Sequence, residues 1–201
     1  MRGRNFLVGT LGVGLLAGMA GCAAASESLR IPDIQDRGFR AYEYSSLDEL
    51  AQRASAIAVV EPTGRTHEVP LPEGYGLPDS APIVFDIVRV VSVVSGELSG
   101  DTIEVATPGI DENTGFSALE TGGPYAVFLT PAMYGAQDPI GGYAIVGGPA
   151  GFFAATQKNT RTRFQRVDTQ SPDLPKILDH TDRAALPTIT KTEAELLAEG
   201  P

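Results

Sequence analysis

Apolar and polar positions alternate along much of this chain, and the pattern predicts a protein built mainly of β-strands. The longest apolar stretch, residues 83–94, is apolar on both faces, which is typical of a curved strand that crosses a barrel. Residues 102–107 alternate cleanly, so that Ile103 and Val105 fall on one face. Shorter stretches predict strands at 57–62, 125–130, 143–147 and 151–155, and an edge strand at 165–168.

Loops rich in glycine and proline separate the predicted strands, and the longest lie at residues 67–82, 108–123 and 131–141. The first of these is either a long loop or an irregular excursion between paired strands. Proline at position 62 is expected to end the first strand, because it cannot donate to a ladder. Strands separated by such loops are expected to pair in antiparallel fashion with their neighbours. We therefore expect a small antiparallel barrel, closed or half-closed, because closure removes the exposed edges of a sheet.

Two short helices are predicted, one on each side of the strands. Ser46 followed by Glu49 has the spacing of a capping box, and Leu47 and Leu50 then fall on one face of a helix over residues 47–53. Thr190 followed by Glu193 has the same spacing and predicts a C-terminal helix that ends before the glycine at position 200.

The first 22 residues have the pattern of an export signal. Arg2 and Arg4 precede an apolar stretch at residues 6–17, and two small residues, Ala20 and Gly21, precede Cys22. The apolar stretch is shorter than the roughly 20 residues needed to cross a bilayer. The pattern resembles the bacterial lipoprotein signal with its lipobox, although a methionine stands at position 19, where that family usually has Leu, Val or Ile.

The resemblance implies cleavage between Gly21 and Cys22 and diacylation of the Cys22 thiol, often with acylation of the freed amine. Two or three acyl chains anchor a protein stably to a membrane without a spanning helix. The expected location is therefore the bacterial cell membrane, on its extracytoplasmic face. The alternatives are an ordinary secretory signal that happens to contain a cysteine, and an unrelated transmembrane helix.

The order of the predicted strands resembles the OB-like netrin module of the tissue inhibitors of metalloproteinases. The matching features are an apolar strand at 57–60, a Val-x-x-Gly turn at 93–96, an alternating strand at 103–105, and the spacing of Leu119, Gly122, Tyr125, Val127, Phe128 and Leu129. The resemblance implies an OB-like barrel. It implies no inhibitory activity, because those inhibitors depend on an N-terminal cysteine and several disulfides that this mature domain would lack.

Four segments follow from these observations. Residues 1–21 are predicted to be the lipoprotein signal peptide, and residues 22–45 a lipid-anchored tether. Residues 46–170 are predicted to form the OB-like β-barrel domain, and residues 171–201 a C-terminal extension with its short helix.

Composition and motifs exclude several classes of function without identifying one. The net charge is −10, and loss of Arg2 and Arg4 with the signal would make it more negative, which argues against nucleic acid as a partner. Cys22 is the only cysteine, so no disulfide can form within the chain. Neither a serine-nucleophile motif nor a metal-ligand spacing of histidines is present, and His67 and His180 each lie in a predicted loop. No catalytic residue, metal site or cofactor is predicted.

One cluster of charge stands out in this acidic chain. Lys158, Arg161, Arg163 and Arg166 form a possible binding patch for an anionic polymer, lipid headgroups or an acidic protein. The alternative is a solvated hairpin without a binding role.

These features favour a lipid-anchored binding or interaction lipoprotein of the cell envelope, which contacts an unidentified envelope protein or polymer through its loops. One version is a phage-carried surface lipoprotein that acts in superinfection exclusion. The other alternative is an envelope hydrolase that uses paired carboxylates such as Asp111 and Glu112.

Overall fold

The computed structural model describes residues 29–34, 43–72, 82–110, 112–115, 117–120, 122–135, 137–156, 163–179 and 186–200. In these residues the fold is mainly β, as the alternation predicted. The eight strands are β1 (Ala56–Val69), β2 (Ile83–Gly96), β3 (Thr102–Ala106), β4 (Tyr125–Gly135), β5 (Asp138–Ile145), β6 (Phe152–Ala155), β7 (Arg163–Arg166) and β8 (Ile177–Asp179). The helices are α1 (Leu47–Gln52) and α2 (Glu193–Glu199), and a 3-10 turn spans Gly148–Gly151.

The strands form one sheet in the order β1-β2-β3-β5-β4-β6-β7-β8, and β1 also pairs with β4. The first five strands therefore make a partial ring. All pairs are antiparallel except β3 and β5, which run parallel and meet at Val105 and Tyr143. The expectation of antiparallel neighbours alone is wrong here for a geometric reason. Directions cannot alternate all the way around a ring with an odd number of strands, so one neighbouring pair must be parallel.

Proline does not end β1 as expected. The strand continues through Pro62 to Val69, and its register against β2 shifts between Pro62 and Arg65. Gly64, in the shifted segment, has a φ of 69°. Pro62 is still paired with Val88, and Thr63 and Gly64 lie outside the ladder before the pairing resumes at Arg65, so the irregularity interrupts the pairing without ending the strand. The predicted loop at residues 67–82 accordingly begins inside a strand.

The predicted loop at residues 131–141 is mostly a hairpin between β4 and β5. Its ladder pairs Pro131 with Tyr143 and Gly135 with Asp138, and it contains two register shifts. Gln137 lies at the tip with a φ of 63°. The predicted edge strand at 165–168 is observed two residues earlier as β7, and it is not an edge because β8 pairs with it.

The core has two clusters, one on each side of the strands. In β1, Ala58 and Val60 join the first cluster, which contains residues of all five strands of the partial ring. Ile57 and Val59 join the second cluster, where Leu50 of α1 and Phe164 of β7 are also buried. Both faces are thus covered along residues 56–60 of β1 and 125–129 of β4, which explains why these two stretches are apolar at every position, whereas the second half of β1 is polar and largely exposed.

The segments on either side of the predicted barrel domain contribute to this core. Ile34 and Tyr44, in the stretch predicted to be a tether, are buried, and the Glu112 amide donates to the Asp33 carbonyl at 3.0 Å. Leu174 and Leu178, in the predicted C-terminal extension, are buried as well. The packed unit therefore includes described residues on both sides of the 46–170 interval.

Both predicted helices are confirmed, although both caps differ from the prediction. The Ser46 hydroxyl accepts from the Glu49 amide at the start of α1, but the Glu49 carboxylate accepts from the amide and hydroxyl of Ser45. The cap of α2 is Thr192, whose hydroxyl accepts from the Glu195 amide while the Glu195 carboxylate accepts from the Thr192 amide. The chain contains two threonine–glutamate pairs at the same spacing, and the structure uses the second pair.

Candidate functional site

A cavity of about 800 Å³ lies between α2 and the β4–β5 side of the partial ring. β4 contributes Thr130, Pro131 and Met133 to its lining. The other lining residues come from five places: the segment before α1, the end of α1, the segment after β3, the end of β5 with the 3-10 turn, and the C-terminal segment. They are Tyr44, Gln52, Arg53, Pro108, Ala144, Ile145, Val146, Gly147, Gly148, Pro149, Lys191, Leu196, Glu199 and Gly200. The sequence alone does not reveal this site, because its lining residues come from parts of the chain that are far apart in sequence.

The cavity combines an apolar lining with charged groups. Met133, Ile145 and Leu196 supply apolar surface, whereas Arg53, Lys191 and Glu199 supply charge. Lys191 and Glu199 form an ion pair with each other across α2. A pocket of this size with a few polar groups among apolar ones is typical of a site for a small molecule.

The C-terminal segment lines one side of the cavity and is held by both apolar and polar contacts. Leu196 is the one buried residue of α2. The Tyr143 hydroxyl donates to a Glu193 carboxylate oxygen at 3.2 Å, and the Ile189 amide donates to the Ser95 hydroxyl at 2.9 Å. Burial raises the pKa of Tyr143, and the charge of Glu193 raises it further.

Asp86 is a buried carboxylate outside the cavity lining. Its side chain lies in β2, is 1% exposed, and accepts through Oδ2 from the hydroxyls of Ser117 at 2.6 Å and Thr107 at 2.9 Å. Its Oδ1 has no hydrogen-bond partner among the described residues. Because Asp86 is enclosed and joins β2 to the segment after β3, its contacts indicate a structural role.

We expect a pH dependence of stability from Asp86. Burial raises the pKa of Asp86, the two hydroxyl hydrogen bonds oppose that shift, and the Glu120 charge adds to it. The folded chain therefore keeps this proton at pH values where the unfolded chain, with an ordinary aspartate pKa of about 3.9, has lost it. The stability linked to this group is fully present below the unfolded pKa and is lost as the pH rises through the folded pKa.

The measurement is urea unfolding of the native chain and of Asp86→Asn at several pH values. The difference between their free energies of unfolding should move in favour of Asn as the pH rises, because Asn cannot ionise. Parallel pH profiles of the two chains would contradict a raised pKa at Asp86.

The structure does not bring the described members of the predicted basic patch together. Arg163 is exposed on β7. Arg166 is three residues further along the same strand, so it faces the opposite side. Its guanidinium donates to the backbone carbonyls of Asp168 at 2.7 Å, Ser171 and Leu174. Lys158 and Arg161 lie outside the described residues, as do Gly21 and Cys22.

The other candidates are scattered. Glu112 is exposed, whereas Asp111 and His180 lie outside the described residues. His67 is in β1 rather than a loop, and its Nδ1 lies 3.2 Å from both carboxylate oxygens of Glu104. In the described parts of the chain, no three His, Cys, Asp or Glu residues are grouped closely enough to hold a metal ion.

Comparisons of the chain with protein-family models, with curated proteins and with solved structures find no match. Neither of the helices in the described residues has the length and apolar character needed to cross a bilayer.

Proposed function

We propose that this protein is a lipid-anchored binding module on the extracytoplasmic face of a bacterial membrane. The observation that carries the binding role is the cavity of about 800 Å³ between α2 and the partial ring. The signal-like residues before Cys22 support the anchor, and the acidic chain argues against nucleic acid. The partner outside the membrane is an envelope protein, a polymer or a small molecule.

We further propose that the partial ring is an OB-like barrel. Support comes from the strand order β1-β2-β3-β5-β4, from the pairing of β1 with β4, and from the parallel contact between β3 and β5. OB-like barrels bind ligands on a strand face and its adjoining loops, although a fold by itself does not determine a function.

A binding role fits the described residues better than the hydrolase alternative. The hydrolase alternative requires two carboxylates that both reach a substrate in an open cleft. Glu199 is the one carboxylate among the lining residues, and it is paired with Lys191. Asp86, which has a raised pKa, is enclosed and does not line the cavity.

The anchor is tested with Cys22→Ser in a bacterial host fed radiolabelled palmitate. We expect the native chain to be labelled and recovered with membranes, and the variant to lose essentially all label and to leave the membrane fraction, because serine cannot form the thioether. Ser28→Ala, a nearby substitution that keeps the thiol, is the matched control. Unchanged label and membrane retention in Cys22→Ser would refute the anchor.

The binding role is tested by recovering the native chain from envelope fractions after chemical cross-linking. The comparison is with Ala144→Phe, which places a larger side chain at the cavity lining. A partner that is lost from Ala144→Phe and kept by Arg163→Gln supports binding at the cavity. Identical partners for both variants, or none for the native chain, would count against it.

A further inference from the structure

We propose that the cavity beneath α2 binds a small organic molecule with one negative charge and a compact apolar part. The inference rests on the proposed function only for its binding role, since a ligand site does not require the anchor. The volume of about 800 Å³ lies within the roughly 300–1,000 Å³ that small-molecule sites occupy.

The apolar part of the ligand follows from the lining. Pro131 and Met133 of β4 and Ile145 of β5 face the cavity with hydrocarbon or thioether groups, and Leu196 of α2 lies opposite them. Displacement of water from such surface favours a ring system or a short alkyl chain over a sugar or another fully polar molecule.

The negative charge follows from the ionisable groups. The lining includes two cationic residues, Arg53 and Lys191, and one anionic residue, Glu199, although the whole chain has a net charge of −10. Lys191 and Glu199 neutralise each other in an ion pair. The lining residues therefore include one more cation than anions. The Arg53 guanidinium has five N–H donors, so it can keep contacts within the protein and still receive a carboxylate or sulfonate.

Entry to the cavity follows from the way α2 is held. Its single buried residue is Leu196, and its Glu193 carboxylate accepts a hydrogen bond from the Tyr143 hydroxyl of the sheet. Elements with few buried apolar contacts open at low free-energy cost. Displacement of α2 would widen the cavity, which is already partly open to solvent, without disturbing the ladders of the sheet.

The test is a fluorescence titration of the full chain with Cys22→Ser, because that change avoids detergent, which binds the probes. The probes are anilinonaphthalenesulfonate, an amphiphile with one negative charge, and phenylnaphthylamine, which has the same rings without the sulfonate. The chain has no tryptophan to interfere with the signal. We expect one saturable site for the anionic probe, with a Kd on the order of 10 µM.

Two exposed substitutions separate charge from apolar contact with little risk to folding. Arg53→Gln should raise the Kd of the anionic probe about tenfold and leave the Kd of the neutral probe unchanged. Glu199→Gln should lower the Kd of the anionic probe severalfold, because it removes the carboxylate of the lining and frees Lys191 from its ion pair with that carboxylate. Arg163→Gln, which removes an exposed arginine away from the cavity, should change neither affinity. Ala144→Phe should weaken both probes, with circular dichroism as the check on folding.

Equal affinity of the anionic probe for the native cavity, Arg53→Gln and Glu199→Gln would overturn the inference, and so would weakening by Arg163→Gln to the same degree. These results are distinct from failure of the proposed function. If the chain is labelled with palmitate and keeps a cavity-dependent partner but has no Arg53-dependent probe site, only the inference about the ligand is contradicted.

Discussion

Gly96→Ala should lower the free energy of unfolding by about 4 kcal/mol. Gly96 ends β2 opposite Ala56 and has a φ of 78°. A Cβ at this position would lie 2.1 Å from the Ser55 carbonyl oxygen and 2.9 Å from the Ala56 Cα. Both neighbours are backbone atoms at the start of β1, so relief requires movement of the β1–β2 ladder itself.

The measurement is urea unfolding followed by circular dichroism, with Gly64→Ala as the matched control. Gly64 also has a positive φ, 69°, but a Cβ there would meet nothing within 4 Å. Gly64→Ala should therefore cost only the backbone strain, about 1 kcal/mol. Equal losses for the two variants would show that steric overlap with Ser55 and Ala56 contributes nothing to the requirement for glycine.

Arg166→Ala should lower the free energy of unfolding by about 3 kcal/mol, because hydrogen bonds to a charged group are worth about 1.5–3 kcal/mol each and are only partly additive. The substitution removes the donor shared by the carbonyls of Asp168, Ser171 and Leu174. The segment between β7 and β8 would lose the group that holds these carbonyls together, although Leu174 and Leu178 are buried beneath it.

Two substitutions separate charge from geometry in thermal unfolding. Arg166→Lys keeps the charge but has no planar fork of donors, so it should recover less than half of the loss. Arg163→Ala, on the exposed side of the same strand, should change the free energy of unfolding by no more than about 0.5 kcal/mol. Similar losses for Arg163→Ala and Arg166→Ala would show that the three carbonyl contacts of Arg166 add no stability beyond that of an exposed arginine.

These two residues show where sequence patterns stop being informative. Gly96 belongs to a turn that the sequence predicts, but its requirement for glycine comes from Ser55, the residue just before β1. Arg166 belongs to a run of basic residues that indicates a binding patch. Its partners are backbone carbonyls, which are present in every sequence and therefore leave no signal in the residue types.

Two prolines also show that a local sequence signal can be wrong about where a strand ends. Pro62 and Pro131 are strong local signals for strand ends, and each lies inside a strand. Register shifts next to both prolines accommodate the missing donors. A shift of register is a property of two paired strands, so the sequence of one strand cannot reveal it.

The sequence by itself determined the strand-rich character of this protein, the position of β2 and the two short helices. These features depend on periodicity and on capping groups within a few residues of each other, and local physics acts at that range. Only the tertiary structure decided the parallel contact of β3 with β5, the enclosure of Asp86, and the cavity that unites Arg53 with Lys191 and Glu199. Each of these depends on contacts between segments far apart in the chain, which no local pattern encodes.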